Sequence, residues 1–129
     1  MVCLDSDVLI NFLRKDAKTI SLIEKLKQQG KSLSITSVNS FELLKGIPKL
    51  SKMDKSNVAD FLTNFKILGF DFNSSKIAAE IFNDLRSNGE MLDLADILIA
   101  SIAISNKEQF ITGNSKHFER IKELKIDSL

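Results

Sequence analysis

Short, nearly continuous apolar runs alternate along the chain with longer stretches in which apolar residues recur at helical spacing. Val2-Cys3-Leu4, Leu33-Ser34-Ile35-Thr36, Ile67-Leu68-Gly69-Phe70 and Gln109-Phe110-Ile111-Thr112 read as buried strands, and Leu124-Lys125-Ile126 as an edge strand. Between them, Val58, Phe61, Leu62 and Phe65 follow i, i+3, i+4, i+7. Ile77, Ala78, Ile81, Phe82 and Leu85 nearly repeat that pattern. Gly30 stops a helix ending Leu26-Lys27-Gln28-Gln29, and another helix starts near Ser37. Ile97 to Ile104 is apolar on almost every side. Its length also allows a core strand, but its alanines favour a central, buried helix. Strands alternating with helices predict an α/β fold of three layers, α/β/α, around a mostly parallel sheet of four to five strands. Ligands in such folds sit beyond the carboxyl ends of the strands. That rule directs attention to Asp5, to Thr36 through Glu42, and to Thr112 through Asn114.

Composition narrows the possibilities. A length of 129 residues suits one domain, 1–129, with no proline-rich, glycine-rich or repetitive linker. Eighteen Lys and Arg against seventeen Asp and Glu give a formal charge of +1, which argues against non-specific binding of duplex DNA. The single cysteine, Cys3, cannot form an internal disulfide or a multi-thiolate metal site. The longest apolar run is too short to cross a bilayer, and no charged-then-apolar leader precedes the first strand. The expectation is a cytoplasmic protein. Charge is unevenly spread: Arg14 to Lys55 holds ten basic and four acidic residues, Asp71 to Asp96 two basic and six acidic. Solvated helix faces account for such polarity; a basic approach surface beside an acidic pocket would also produce it.

Three carboxylates stand out. Asp5 closes an apolar strand, where a carboxylate needs a turn to cap or a cation to hold. Asp7, just before an apolar helical run, reads as an N-cap. Glu42, between Phe41 and Leu43-Leu44, faces outward from an amphipathic helix or inward to a site. Asp93 and Asp96 read as a capping pair at the start of the apolar helix. That helix lies deep in the fold, however, so its first turn points into the interior or a cleft, and a carboxylate there wants a counter-cation. Asp5, Glu42 and Asp96, entering from separate elements, can converge on Mg²⁺ or Mn²⁺, which take hard oxygen ligands. One histidine, His117, leaves little for a zinc site or a serine triad, and there is no glycine-rich phosphate loop.

These residues fall into blocks that resemble a known family. Leu4-Asp5-Ser6-Asp7-Val8-Leu9-Ile10 is similar to the opening "hDTNVLI" of PIN domains. Thr36 to Gly46 is similar to their "hTxxxxxELxxG", Asp96-Ile97-Leu98-Ile99-Ala100 to "DxxIA", and Ile111 to Phe118 to "hhTxNxxxF". The blocks occur in the family's order and cover nearly the whole chain, and at this size the resemblance is to the VapC-type toxins of toxin–antitoxin pairs. It implies a parallel sheet between helices and a metal-dependent endoribonuclease with Asp5, Glu42 and Asp96 as its acidic core. Asn114 falls where many relatives carry a fourth acid and others Asn, and His117 where relatives often place Asp or Glu, which thins the acidic cluster. The resemblance further implies a homodimer and neutralisation by a small antitoxin.

On this reading Asp5, Glu42, Asp96 and Asn114 are the catalytic candidates, the three acids ligate the metal, and Ser6 and Thr112 position ligands or phosphate oxygens. Glu42 either ligates or serves as general base through water. Single-stranded or structured RNA is the expected substrate, with most of the nine Phe in the core. The dimer is expected through the helices between Asp16 and Lys66. Two alternatives remain at this point. One is a PIN-fold binding or regulatory module with weak or no catalysis. The other is a haloacid-dehalogenase-like phosphatase, because Asp5-Ser6-Asp7-Val8 also fits "DxDx[TV]"; that reading leaves Glu42 idle.

Overall fold

A computed structural model describes residues 1–46 and 55–128. Its strands are β1 (Val2–Leu4), β2 (Leu33–Thr36), β3 (Lys66–Leu68), β4 (Gln109–Thr112) and β5 (Ile126–Ser128). The helices are α1 (Ser6–Leu13), α2 (Ala17–Gln28), α3 (Ser37–Lys45), α4 (Lys55–Leu62), α5 (Phe72–Ser87), α6 (Leu94–Ser105) and α7 (Ser115–Phe118). The strands form one sheet in the order β3-β2-β1-β4-β5, every pairing parallel.

Alternation along the strands separates two cores. Val2, Leu4, Ile35 and Ile111 face one side and pack with Val8, Leu9, Ile23, Leu43, Val58 and Leu62 from α1 to α4. Cys3 and Phe110 face the other and pack with Ala78, Ile81, Leu85, Ile99, Ala100 and Ala103 from α5 and α6. The expected three-layer α/β/α arrangement is therefore observed. In α6 the side chains from Ile99 through Ala103 are all buried, which accounts for its lack of a polar face.

The edges of the sheet differ from the sequence reading. β3 begins at Lys66 and stops at Leu68, because Gly69 and Phe70 leave the sheet to reach Asp71, the N-cap of α5. β5 lies at Ile126–Ser128 rather than Leu124–Ile126; Leu124 is buried from the loop that precedes the strand. Phe65, expected on a helix, lies beyond the end of α4 and meets Phe61 edge-on at 5.2 Å. Of the nine Phe, Phe110 and Phe118 are fully buried and Phe12, Phe61 and Phe65 pack partly buried against the core, whereas Phe41, Phe70, Phe72 and Phe82 are exposed.

The topology singles out one end of the sheet. From β1 the chain passes to β2 on one side, and the path later returns to β4 on the other. The carboxyl end of β1 is thus the point where the strand order reverses, the usual ligand position in open α/β sheets. Register brings Leu4 beside Ile111, and the Asp5 N–H continues the ladder to the Ile111 carbonyl at 2.9 Å. Asp5 is therefore delivered alongside Thr112.

Candidate active site

Asp5 is both the last residue of the β1 path and the N-cap of α1. Its Oδ1 accepts the Ser6 N–H at 2.8 Å, and its Oδ2 accepts the Thr112 hydroxyl at 2.7 Å. Asp5 therefore takes the capping position expected of Asp7. With 5% of its surface exposed, Asp5 is the most deeply buried of the site's carboxylates. Burial pushes its carboxyl up to about 7; the Thr112 hydroxyl opposes the rise, and the charges of Asp7 and Asp96 add to it.

Glu42 faces the site rather than bulk solvent. The Ser6 hydroxyl donates to Glu42 Oε1 at 2.8 Å, and the same hydroxyl accepts from Asn39 Nδ2 at 2.8 Å. Asn39 Nδ2 also points at Asp5 Oδ1, 3.4 Å away. Fully buried Asn39 is the group the sequence reading missed. Its Oδ1 accepts from the backbone and hydroxyl of Thr36 at 3.0 and 2.7 Å, and Thr36 Oγ1 accepts the Asn39 N–H at 3.0 Å. This capping box at the start of α3 is written in the sequence as Thr-x-x-Asn. It locks Asn39 so that its amide can serve both Asp5 and Ser6.

Asp96 lies in the first turn of α6, and Asp93 holds the N-cap position without making a side-chain cap bond. The capping-pair expectation is therefore half met: the position is right, the hydrogen bond is absent. Burial raises the Asp96 carboxyl, and the charges of Asp93 and Glu42 raise it further. His117 Nδ1, on α7, lies 3.6 Å from Asp96 Oδ2 and opposes the rise. Asn114 begins α7; its N–H donates to Thr112 Oγ1 at 3.0 Å, and its exposed side chain makes no cap bond.

Asp5, Glu42 and Asp96 thus approach one another from β1, α3 and α6, linked by repulsion of Asp96 with Asp5 and Glu42 and by a chain of neutral donors, Asn39, Ser6 and Thr112. Among the described residues, no three His, Cys, Asp or Glu side chains are drawn together tightly enough to enclose an ion by themselves. An Mg²⁺-sized ion does not need such a cage, because it keeps several waters and binds through one or two carboxylates. A buried carboxyl held up near 7 beside a second strained acid is a donor set that a hard divalent cation relieves. The residues therefore fit a divalent metal.

Residues 2–124 match the model of the PIN domain family. Ribonuclease VapC2 of Rickettsia felis is 26% identical over 127 residues, covering 97% of this chain and 95% of the relative. Ribonuclease VapC1 of Methanocaldococcus jannaschii is 30% identical over 122 residues, covering 95% and 82% respectively. Among solved structures, a chain of VapBC2 from Rickettsia felis, bound to a DNA fragment from their promoter, superposes with a TM-score of 0.89 at 25% identity. It covers 100% of this chain and 99% of that one. With the family model spanning nearly the whole chain and a relative 30% identical over most of both sequences, the chain belongs to the PIN domain family.

Proposed function

We propose that this protein is a metal-dependent endoribonuclease, the toxin of a toxin–antitoxin pair, and that Asp5, Glu42 and Asp96 form its active site. The observation that carries the site assignment is the convergence of these acids at the point where the strand order reverses. Its relatives are named ribonucleases, and the VapBC complex of the same fold supports a small antitoxin as partner. Membership of the PIN family removes the phosphatase alternative, and kinship with named ribonucleases disfavours a purely binding module.

The ion would be Mg²⁺, with Mn²⁺ as substitute, and Asp5 and Asp96 would hold it, with Glu42 as third ligand or as base. When bound, it polarises the scissile phosphate and acidifies a water. The chain's own groups supply the rest. Thr112 and the Ser6 N–H fix the Asp5 carboxylate through both oxygens, which orients the group that would ligate the ion. Glu42 gives one oxygen to Ser6 and keeps the other to ligate or to take a proton from water. On this reading the exposed Asn114 side chain, which makes no cap bond to α7, holds a phosphate oxygen of single-stranded or looped RNA. We place the protein in the cytoplasm, as a homodimer. Exposed Phe41 and Leu44 on α3 lie within the stretch expected to form that interface, whose residues 47–54 fall outside those described.

The test is incubation of the purified chain with total tRNA and ribosomal RNA, in Mg²⁺ and in EDTA, beside Asp96→Asn. Discrete fragments that require both Mg²⁺ and Asp96 are the expected result. Fragments that survive in the variant, or in EDTA, overturn the assignment of the site.

A further inference from the structure

We propose that Asp7, absent from the acidic core, is a positioning residue that clamps the turn between β4 and α7 against the start of α1. Asp7 Oδ2 accepts the Gly113 N–H at 2.9 Å, a bond spanning 106 residues of sequence. Gly113 sits between the two residues that tie this turn to the site. Thr112 donates its hydroxyl to Asp5, and the Asn114 N–H donates to the Thr112 oxygen. The turn then runs directly into α7, which carries His117 to within 3.6 Å of Asp96. One turn therefore supports Asp5 at one end and Asp96 at the other, and Asp7 is the side chain that fastens its middle.

The approach of Asp7 to the backbone at Gly113 is close. A Cβ at position 113 would lie 2.6 Å from Asp7 Oδ2, so any larger residue there must push that carboxylate oxygen away from its bond to the position-113 N–H. Gly113 has an ordinary backbone conformation, its φ not among the positive values, so the absent Cβ serves close approach rather than a special turn. The second Asp7 oxygen, Oδ1, is buried and has no hydrogen-bond partner among the described residues. Asp7 Oδ2 thus reaches Gly113 from the far end of the sequence, while the backbone N–H groups of Val8 and of Asp7 itself add weaker support to the same carboxylate. A hydrogen-bond acceptor is what the clamp needs, and an asparagine oxygen supplies one as well as a carboxylate does.

This inference rests on the ribonuclease reading for its effect on rate, but not for the clamp itself, so both are measured. The clamp is read by hydrogen exchange of the Gly113 amide: protected in the wild type and in Asp7→Asn, and at least tenfold faster in Asp7→Ala. The rate is read by steady-state cleavage of the RNA that the wild type cuts, well below the melting temperature of each variant. Asp7→Ala is expected to lose at least tenfold in kcat with KM within twofold of wild type, and Asp7→Asn to stay within about threefold in both. Gly113→Ala should be as impaired as Asp7→Ala, yet cause little further loss when combined with it, because the atom it collides with is gone. An unprotected Gly113 amide in the wild type overturns the clamp. So does wild-type kcat in Asp7→Ala, or Asp7→Asn failing as badly as Ala. A wild type that cleaves nothing while Gly113 stays protected in the Asp7-dependent way would overturn the ribonuclease reading and leave the clamp standing.

Discussion

Asp5 closes a strand, caps a helix and faces two other acids, and these duties set its charge. Its ordinary value is 3.8 and the folded chain holds it near 7. Between those values the native state binds a proton that the unfolded chain has released. In chelator, therefore, stability falls as pH rises from about 4 to about 7 and levels off above, the contribution being complete only below the unfolded value. Asp5→Asn should flatten that part of the profile, measured as the urea midpoint against pH. An unchanged slope in the variant would mean that another group binds the proton. The residue scale also shows what a sequence can betray. Asp5, Glu42 and Asp96 stood out because each is an acid set against apolar neighbours. Asn39 and the Asp7–Gly113 pair did not, because their roles depend on which strands end side by side.

The elements that place these residues were legible in proportion to their burial. β1, β2 and β4 have the bounds read from the sequence, since the middle of a covered parallel sheet demands unbroken apolar runs. β3 and β5 shifted because edge strands are half free of that demand: Ile67 in β3 is exposed, and Leu124 is buried from a loop. The start of α3 is the element most exposed to a single substitution. Asn39→Ala removes the acceptor for two Thr36 donors and the donor to Ser6 in a buried setting. It should cost about 1–3 kcal/mol in denaturant unfolding and lower cleavage with it. Asn39→Asp keeps the Thr36 acceptor but turns an anion toward Asp5 Oδ1. Its loss should be larger near neutral pH and shrink on acidification. Equal losses in both variants at every pH would show that only the capping box matters.

At the scale of the whole molecule, part of the basic stretch fits the reading of solvated helix faces rather than a basic surface beside the acids. Lys25, Lys27 and Lys31 precede the amino end of β2, whereas Asp5, Thr36 and Thr112 mark the carboxyl ends of the strands, so this part of the basic stretch lies at the opposite end of the sheet. Nor, among the described residues, is any helix long and apolar enough to cross a membrane. What the fold concentrates at its carboxyl end is repulsion: Asp96 against Asp93 and Glu42, Asp5 against Asp7 and Asp96. Anything that binds the folded chain at those acids, and not the unfolded one, must stabilise it, by about 2.7 kcal/mol at a hundredfold excess over its dissociation constant. Mg²⁺ or Mn²⁺ should therefore raise the melting temperature by several degrees. Asp96→Asn should lose most of that rise, and its metal-free form should melt at or above the metal-free wild type, because a strained charge has been removed. The two effects must appear together in thermal unfolding with and without chelator. A metal-free Asp96→Asn that melts clearly lower would instead assign Asp96 to the first turn of α6, where a carboxylate favours the helix dipole and needs no ion.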